Sequence, residues 1–171
     1  MKKKVILVFG MMLLVGCSAK YNAAEVTKNT EQLIKNKKVL IAQPENGTYD
    51  AKVYSQSGSM TAMAVRTAFS RYTDDAAVIS TCATQECLQN SQQMKDGYYV
   101  IPQILHWEDR ATEWSGLPDK IEVKITVYNA QSNNVIASTI LNGSSKWLTF
   151  GGDHPQDLLP QPINEYVASL Y

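Results

Sequence analysis

The sequence has no surplus of either charge: its 171 residues carry 16 Lys and Arg against 16 Asp and Glu, with only two His. Proteins that hold nucleic acid normally carry a basic excess to neutralise phosphates, so that class is excluded on charge. Serine-hydrolase chemistry lacks its G-x-S-x-G turn. The stretch Gln56-Ser-Gly-Ser-Met-Thr61 opens a helix, yet it has neither the Lys of a P-loop nor the glycine spacing of a dinucleotide turn. Its serines, Ser57 or Ser59, read as helix N-caps instead. Repeats and low-complexity blocks are missing. What is there is a 44% share of hydrophobic residues, enough for a core, on a length that suits one ordinary domain.

The first residues form a separate unit. Lys2, Lys3 and Lys4 precede an apolar run from Val5 to Val15, interrupted only by Gly10. A membrane span needs roughly 20 such residues, so this run has the length of a secretory signal. Its ending, Leu14-Val15-Gly16-Cys17, resembles the lipobox of bacterial lipoproteins, in which cleavage precedes a cysteine that becomes lipidated. Two or three acyl chains, at about 0.8 kcal/mol per buried CH₂, hold a protein on a membrane almost permanently. By the same resemblance Ser18, where an Asp would retain the protein in the inner membrane, implies the outer membrane. Removal of residues 1–16 takes away three Lys and no acid, leaving 13 basic against 16 acidic residues, a net charge of −3. Such a protein is anchored by its acyl chains and has no general electrostatic attraction to anionic lipid.

The expected organisation is a signal peptide at 1–16, an acylated Cys17 with a polar tether to residue 36, and a single globular α/β domain over 37–171. Fully extended, residues 18–36 would reach roughly 60 Å from the lipid. Three cysteines are an odd number. With Cys17 acylated, Cys82 and Cys87 remain. In an oxidising periplasm they read as a disulfide at a strand-to-helix junction, with two buried thiols or a metal or redox site as alternatives. A bridge requires Cys82 to lie outside the helix.

Along the domain, Lys38–Gln43 is a buried strand closed by Pro44, and residues 59–72 follow a helical stripe. Ala76–Ser80 is a second strand, Gln85–Lys95 a second helix stopped by Gly97, and Tyr98–Trp107 a third strand. Pro102 predicts an edge or a bulge in it. Ile121, Val123, Ile125 and Val127 alternate with polar residues, the pattern of a half-buried antiparallel strand, and Val135–Ser145 returns as its hairpin partner. A closing helix spans about 161–170. The order β-α-β-α-β-β-β-α predicts an α/β (α+β) fold, a mixed sheet with helices packed on it.

The residues Val39-Leu-Ile-Ala-Gln-Pro44, Gly47-Thr-Tyr49, Tyr54, Ser57-Gly58, Thr61-Ala62 and Ala68-Phe69 resemble an uncharacterised proteobacterial lipoprotein family, domain of unknown function 4823. The resemblance implies location and fold and brings no activity. The element order is also similar to the α/β domain of the TolB amino-terminal part and of CsgG.

The segment from His106 to Trp114 is the patch richest in chemistry. His106, Trp107, Arg110 and Trp114 are candidate binding-surface residues, since Trp and Arg are favoured anchors. Glu108 and Asp109 could serve as a general acid and base, but adjacent strand residues point to opposite sides. The plainer reading is a solvated loop whose two Trp cover the core edge. His154 could approach His106 and, with an Asp, hold a metal. The functional expectation is a non-enzymatic envelope lipoprotein on the periplasmic face of the outer membrane, with the inner membrane as the alternative. It would bind or assemble an envelope protein or cell-wall component, with no cofactor and no metal. A small-ligand or glycan-binding module is the alternative, a hydrolase a more distant one.

Overall fold

A computed structural model describes residues 19–110, 116–146 and 154–171. Cys17, Gly16 and the signal peptide lie outside these residues, as does Trp114. Eight strands occur among the described residues. They are β1 Lys20–Thr27, β2 Val39–Ala42, β3 Thr48–Tyr49, β4 Lys52–Val53, β5 Ala76–Ile79, β6 Tyr98–Glu108, β7 Lys120–Asn129 and β8 Val135–Ser144. The helices are α1 Ser57–Phe69, α2 Gln85–Ser91 and α3 Pro160–Leu170, the last preceded by a 3-10 turn at Pro155–Leu158. None of them is long and apolar enough to cross a membrane.

Six strands form one mixed sheet in the order β1-β8-β7-β6-β2-β5, and β3 with β4 forms a separate small ladder. β5, β2 and β6 run parallel, whereas β6, β7, β8 and β1 are antiparallel neighbours. The side-chain period of two sorts the core into two layers. On one face Val39, Ile41, Val100, Val123, Ile125 and Leu141 pack with Val65 and Phe69 of α1 and Ile163 and Val167 of α3. On the other, Leu40, Ala42, Tyr99 and Ile101 pack with Leu88 of α2 and Met94. The expected α+β class and mixed sheet are what the chain forms.

The amino-terminal segment differs from the expected tether. Residues 20–27 pair with β8 from Lys20–Ser144 to Thr27–Ser138, and the Thr139 hydroxyl donates to the Ala24 carbonyl at 3.1 Å. Beyond it, the Thr30 and Leu33 amides donate to Ile136 and Leu170, and Leu33 is buried. The strand escapes sequence reading because it is an edge whose residues are nearly all exposed, so no apolar alternation marks it. Only residues 18 and 19 then separate Cys17 from the sheet.

α2 also ends earlier than its sequence suggests. After Ser91 the backbone turns extended at Gln92. The Tyr99 hydroxyl donates to the Gln92 carbonyl and accepts from the Met94 amide, which redirects the segment to bury Met94. At the start of α1, Ser57 is not the cap expected. Gln56 occupies that place without a side-chain bond, and the Ser57 hydroxyl instead accepts from the Gly47 amide at 2.8 Å and donates to the Tyr54 carbonyl. Gly97 is required where β6 begins, since its φ is +114° and a Cβ there would lie 2.3 Å from the Lys38 carbonyl oxygen.

Cys82 and Cys87 form a disulfide, with Cα atoms 5.3 Å apart. The geometry works because Cys82 precedes the helix and Thr84 caps it, accepting from the Cys87 amide. Closing so short a loop stabilises the fold by about 2 kcal/mol through the unfolded state. The double variant Cys82→Ala/Cys87→Ala is expected to lose about that much in urea unfolding at pH 7. An unchanged unfolding midpoint would show that the bridge contributes nothing.

Candidate functional site

The site follows from one extra residue in β6. Up to Ile104 the pairing with β7 is regular, with Ile104 opposite Val123, but His106 sits opposite Glu122, so Leu105 is bulged out. Leu105 is 48% exposed. The bulge reverses which residues face inward. Trp107 now lies opposite Ile121 and is buried in the core, while His106 and Glu108, opposite Glu122 and Lys120, share the outer face. Gly47 lies under the indole, since a Cβ at Gly47 would be 2.6 Å from Trp107 Cβ. Trp107 is therefore a core residue and not the binding-surface residue its sequence context indicated.

On the outer face His106, Glu108 and Arg110 lie at two-residue intervals and are joined. The buried Glu108 carboxylate meets His106 Nε2 at 3.1 Å through Oε2 and accepts from Arg110 Nε through Oε1. Arg110 also donates to the Tyr49 hydroxyl at 3.1 Å, and the Tyr49 ring meets the His106 ring edge to face, centroids 5.2 Å apart. Burial pushes the Glu108 carboxyl up, but the hydrogen bonds from His106 and Arg110 and the charges of Arg110 and Lys120 outweigh it. Glu108 thus stays below the usual carboxylate range. The hydrogen bond to Glu108 in turn raises Arg110. Tyr49, on β3, belongs to the Gly47-Thr-Tyr49 stretch of the family resemblance, but nothing local in sequence ties a two-residue strand to β6 and so marks it as a site residue.

These side chains line a cleft of about 550 Å³ together with Lys20, Asn22, Lys120, Glu122, Asn142 and Ser144. His154 does not line it: His154 Nδ1 lies 3.5 Å from Asp109 Oδ1. The two histidines thus belong to different clusters, one on Glu108 and one on Asp109, as strand alternation requires of those acids. No group of three His, Cys, Asp or Glu able to hold a metal occurs among the described residues.

A third carboxyl, Asp119, escaped the sequence reading because Pro118 and Lys120 make it look like part of a turn. It is fully buried. Its Oδ1 accepts from the Arg110 amide, its own amide donates to the Ser145 hydroxyl and its carbonyl accepts from the Ser145 amide, the last two at 2.9 Å each. Oδ2 has no partner among the described residues. Burial raises Asp119, opposed by the Arg110 amide and assisted by the charge of Asp109. Asp119 ties the end of β6 to the strands beside it.

The opposite shifts give opposite pH dependences. A carboxyl depressed on folding stabilises above its unfolded value, 4.5 for Glu108, and that contribution is lost as pH falls through the lower folded value. Glu108→Gln is therefore expected to lower stability by about 2 kcal/mol at pH 7, the worth of a charged hydrogen bond. The gap from the parent should close as pH falls below 4.5 and through the depressed folded value. A gap independent of pH in urea unfolding would contradict the ionised network.

No curated protein matches the chain. Among solved structures it is similar to the PelC dodecamer from Paraburkholderia phytofirmans, with 12% identity, coverage of 89% of this chain and 96% of that chain, and a TM-score of 0.65. A variant PelC dodecamer from the same organism matches at 10% identity, coverage of 88% and 98%, and a TM-score of 0.63. At such identities the likeness is one of fold. Sequence gives the closer assignment, because the model of one family matches residues 31–170, nearly the whole described domain: the chain belongs to the family described as "Domain of unknown function (DUF4823)".

Proposed function

We propose that this chain is a bacterial envelope lipoprotein, held by an acylated Cys17 on the periplasmic face of the outer membrane, that works by binding and assembly and not by catalysis. The observation that carries the binding half is the state of Glu108. A general acid needs a carboxyl raised toward neutrality and free to give up its proton. Glu108 is depressed and committed to His106 and Arg110, which makes a rigid, ionised recognition face. The anchor half rests on the Leu14–Cys17 lipobox and the signal-like run before it.

Copies of this chain are the first partner proposed. Two solved structures of the same fold are described as dodecamers, and a head-to-tail contact that closes on itself builds such a ring. An envelope protein or cell-wall component would then meet the assembled form. A small-ligand or glycan-binding role is the second reading, favoured by the cleft of about 550 Å³ around His106 and Arg110; wall fragments that raise the melting temperature would support it.

Crosslinking in intact cells is expected to yield a ladder of homo-oligomers and specific envelope partners, and Cys17→Ser to accumulate as an uncleaved, palmitate-free precursor. Recovery of only uncrosslinked monomer would contradict assembly. Palmitate incorporation into the Cys17→Ser protein would contradict the anchor.

A further inference from the structure

The pairing of β1 with β8 brings the cleft to the anchor. Lys20, the first residue of β1, is three residues from Cys17, a distance of about 10 Å at full extension. Each polar headgroup layer of a bilayer is roughly 5–8 Å thick. An acylated Cys17 sits at that layer, so the sheet end that begins with Lys20 lies in it or directly on it.

The register fills that end with one row of outward side chains. Lys20 is opposite Ser144, Ser144 opposite Lys120, and Lys120 opposite Glu108. Directly opposed residues share a face, and adjacent strands are about 4.8 Å apart. Ser144 is therefore flanked by two lysines whose backbones are about 10 Å from each other. Neither lysine makes an ion pair within 4 Å among the described residues; the Lys120 charge acts on Glu108 across the strands, but that carboxylate is held directly by Arg110 and His106. Two cations around a hydroxyl donor form a seat for a tetrahedral anion. The mature chain is acidic overall, so this pair of lysines departs from its average charge. Leu117, 47% exposed and three residues before β7, adds an apolar side chain at the same end.

We propose that Lys20, Ser144 and Lys120 bind the headgroup phosphate of a phospholipid in the leaflet that holds the anchor. The inference rests on the acylation of Cys17 proposed above and adds to it a defined face of the domain seated on lipid. The contact fixes the orientation of the sheet, turning a mobile anchored domain into one presented in a single pose.

The test is amine-modification footprinting of the full acylated protein, read by mass spectrometry. A phosphate oxygen favours the protonated ammonium and so slows its modification. In phosphatidylglycerol nanodiscs Lys20 and Lys120 are expected to react about fivefold more slowly than in maltoside micelles, the effect of about one favourable charge contact per lysine. Lys52 and Lys95 should be unchanged. Phosphate-free galactolipid nanodiscs should give no such protection. Equal reactivity in all three settings would overturn the proposal. So would equal protection in galactolipid, which would mean simple crowding, or equal protection by inorganic phosphate in micelles, which would mean a soluble ligand. Intact mass of the same sample separates the two ideas. A chain without acyl groups overturns the anchor, and an acylated chain with unprotected lysines overturns only the phosphate site.

Discussion

The one-residue bulge at Leu105 is the constraint on which core and site both depend. Strand alternation continued without it from Ile104 would carry His106 and Glu108 into the layer beneath α1 and α3 and leave Trp107 in solvent. A carboxylate unpaired in that layer is far more costly than the local disruption of the ladder at the bulge. With the bulge, the largest apolar side chain of the segment fills the space over Gly47, and the polar ones meet Arg110 and Tyr49 outside. The same phase change gives Asp109 to His154 and keeps the two acids apart. Packing and electrostatics at this end are thus one decision of the backbone.

The second dependence runs through β1. As an exposed edge strand it contributes little apolar burial, yet its antiparallel ladder on β8 decides where the domain stands relative to residue 17. A flexible tether would let the domain sample a wide volume; a strand that starts at Lys20 holds it within about 10 Å of residue 17, the proposed anchor. Edge strands invite pairing with other chains. On the proposed anchoring at Cys17, that invitation would lie beside the membrane, where anchored copies meet at high local concentration.

Much of the fold was legible because its central strands obey simple periods. The alternation of Ile121 through Val127, the apolar run at Val39–Ala42 and the spacing of Cys82 and Cys87 each have one comfortable structural solution. The misses share a cause: they depend on partners far away in sequence. β1 is a strand only because β8 offers it hydrogen bonds. Pro102 points to an edge or a bulge in β6, and the strand is interior and bulged, but nothing local places the extra residue at Leu105. Ser57 is taken from capping by Gly47 and Tyr54, and α2 is cut short by the Tyr99 hydroxyl. Of the candidate site residues, His106 and Arg110 meet around Glu108, Trp107 goes to the core, and Tyr49 and Asp119 join from segments that carried no local signal.

Central to this picture is a rigid sheet that begins at Lys20, three residues from the proposed anchor at Cys17, with no flexible spacer between them. Amide hydrogen exchange across residues 20–27 of the acylated protein reads this most directly. The β1–β8 ladder predicts protection of the β1 amides bonded to β8, slowed well beyond free-chain rates. Exchange of all of them at the rates of an unstructured peptide would restore the tether and contradict the account.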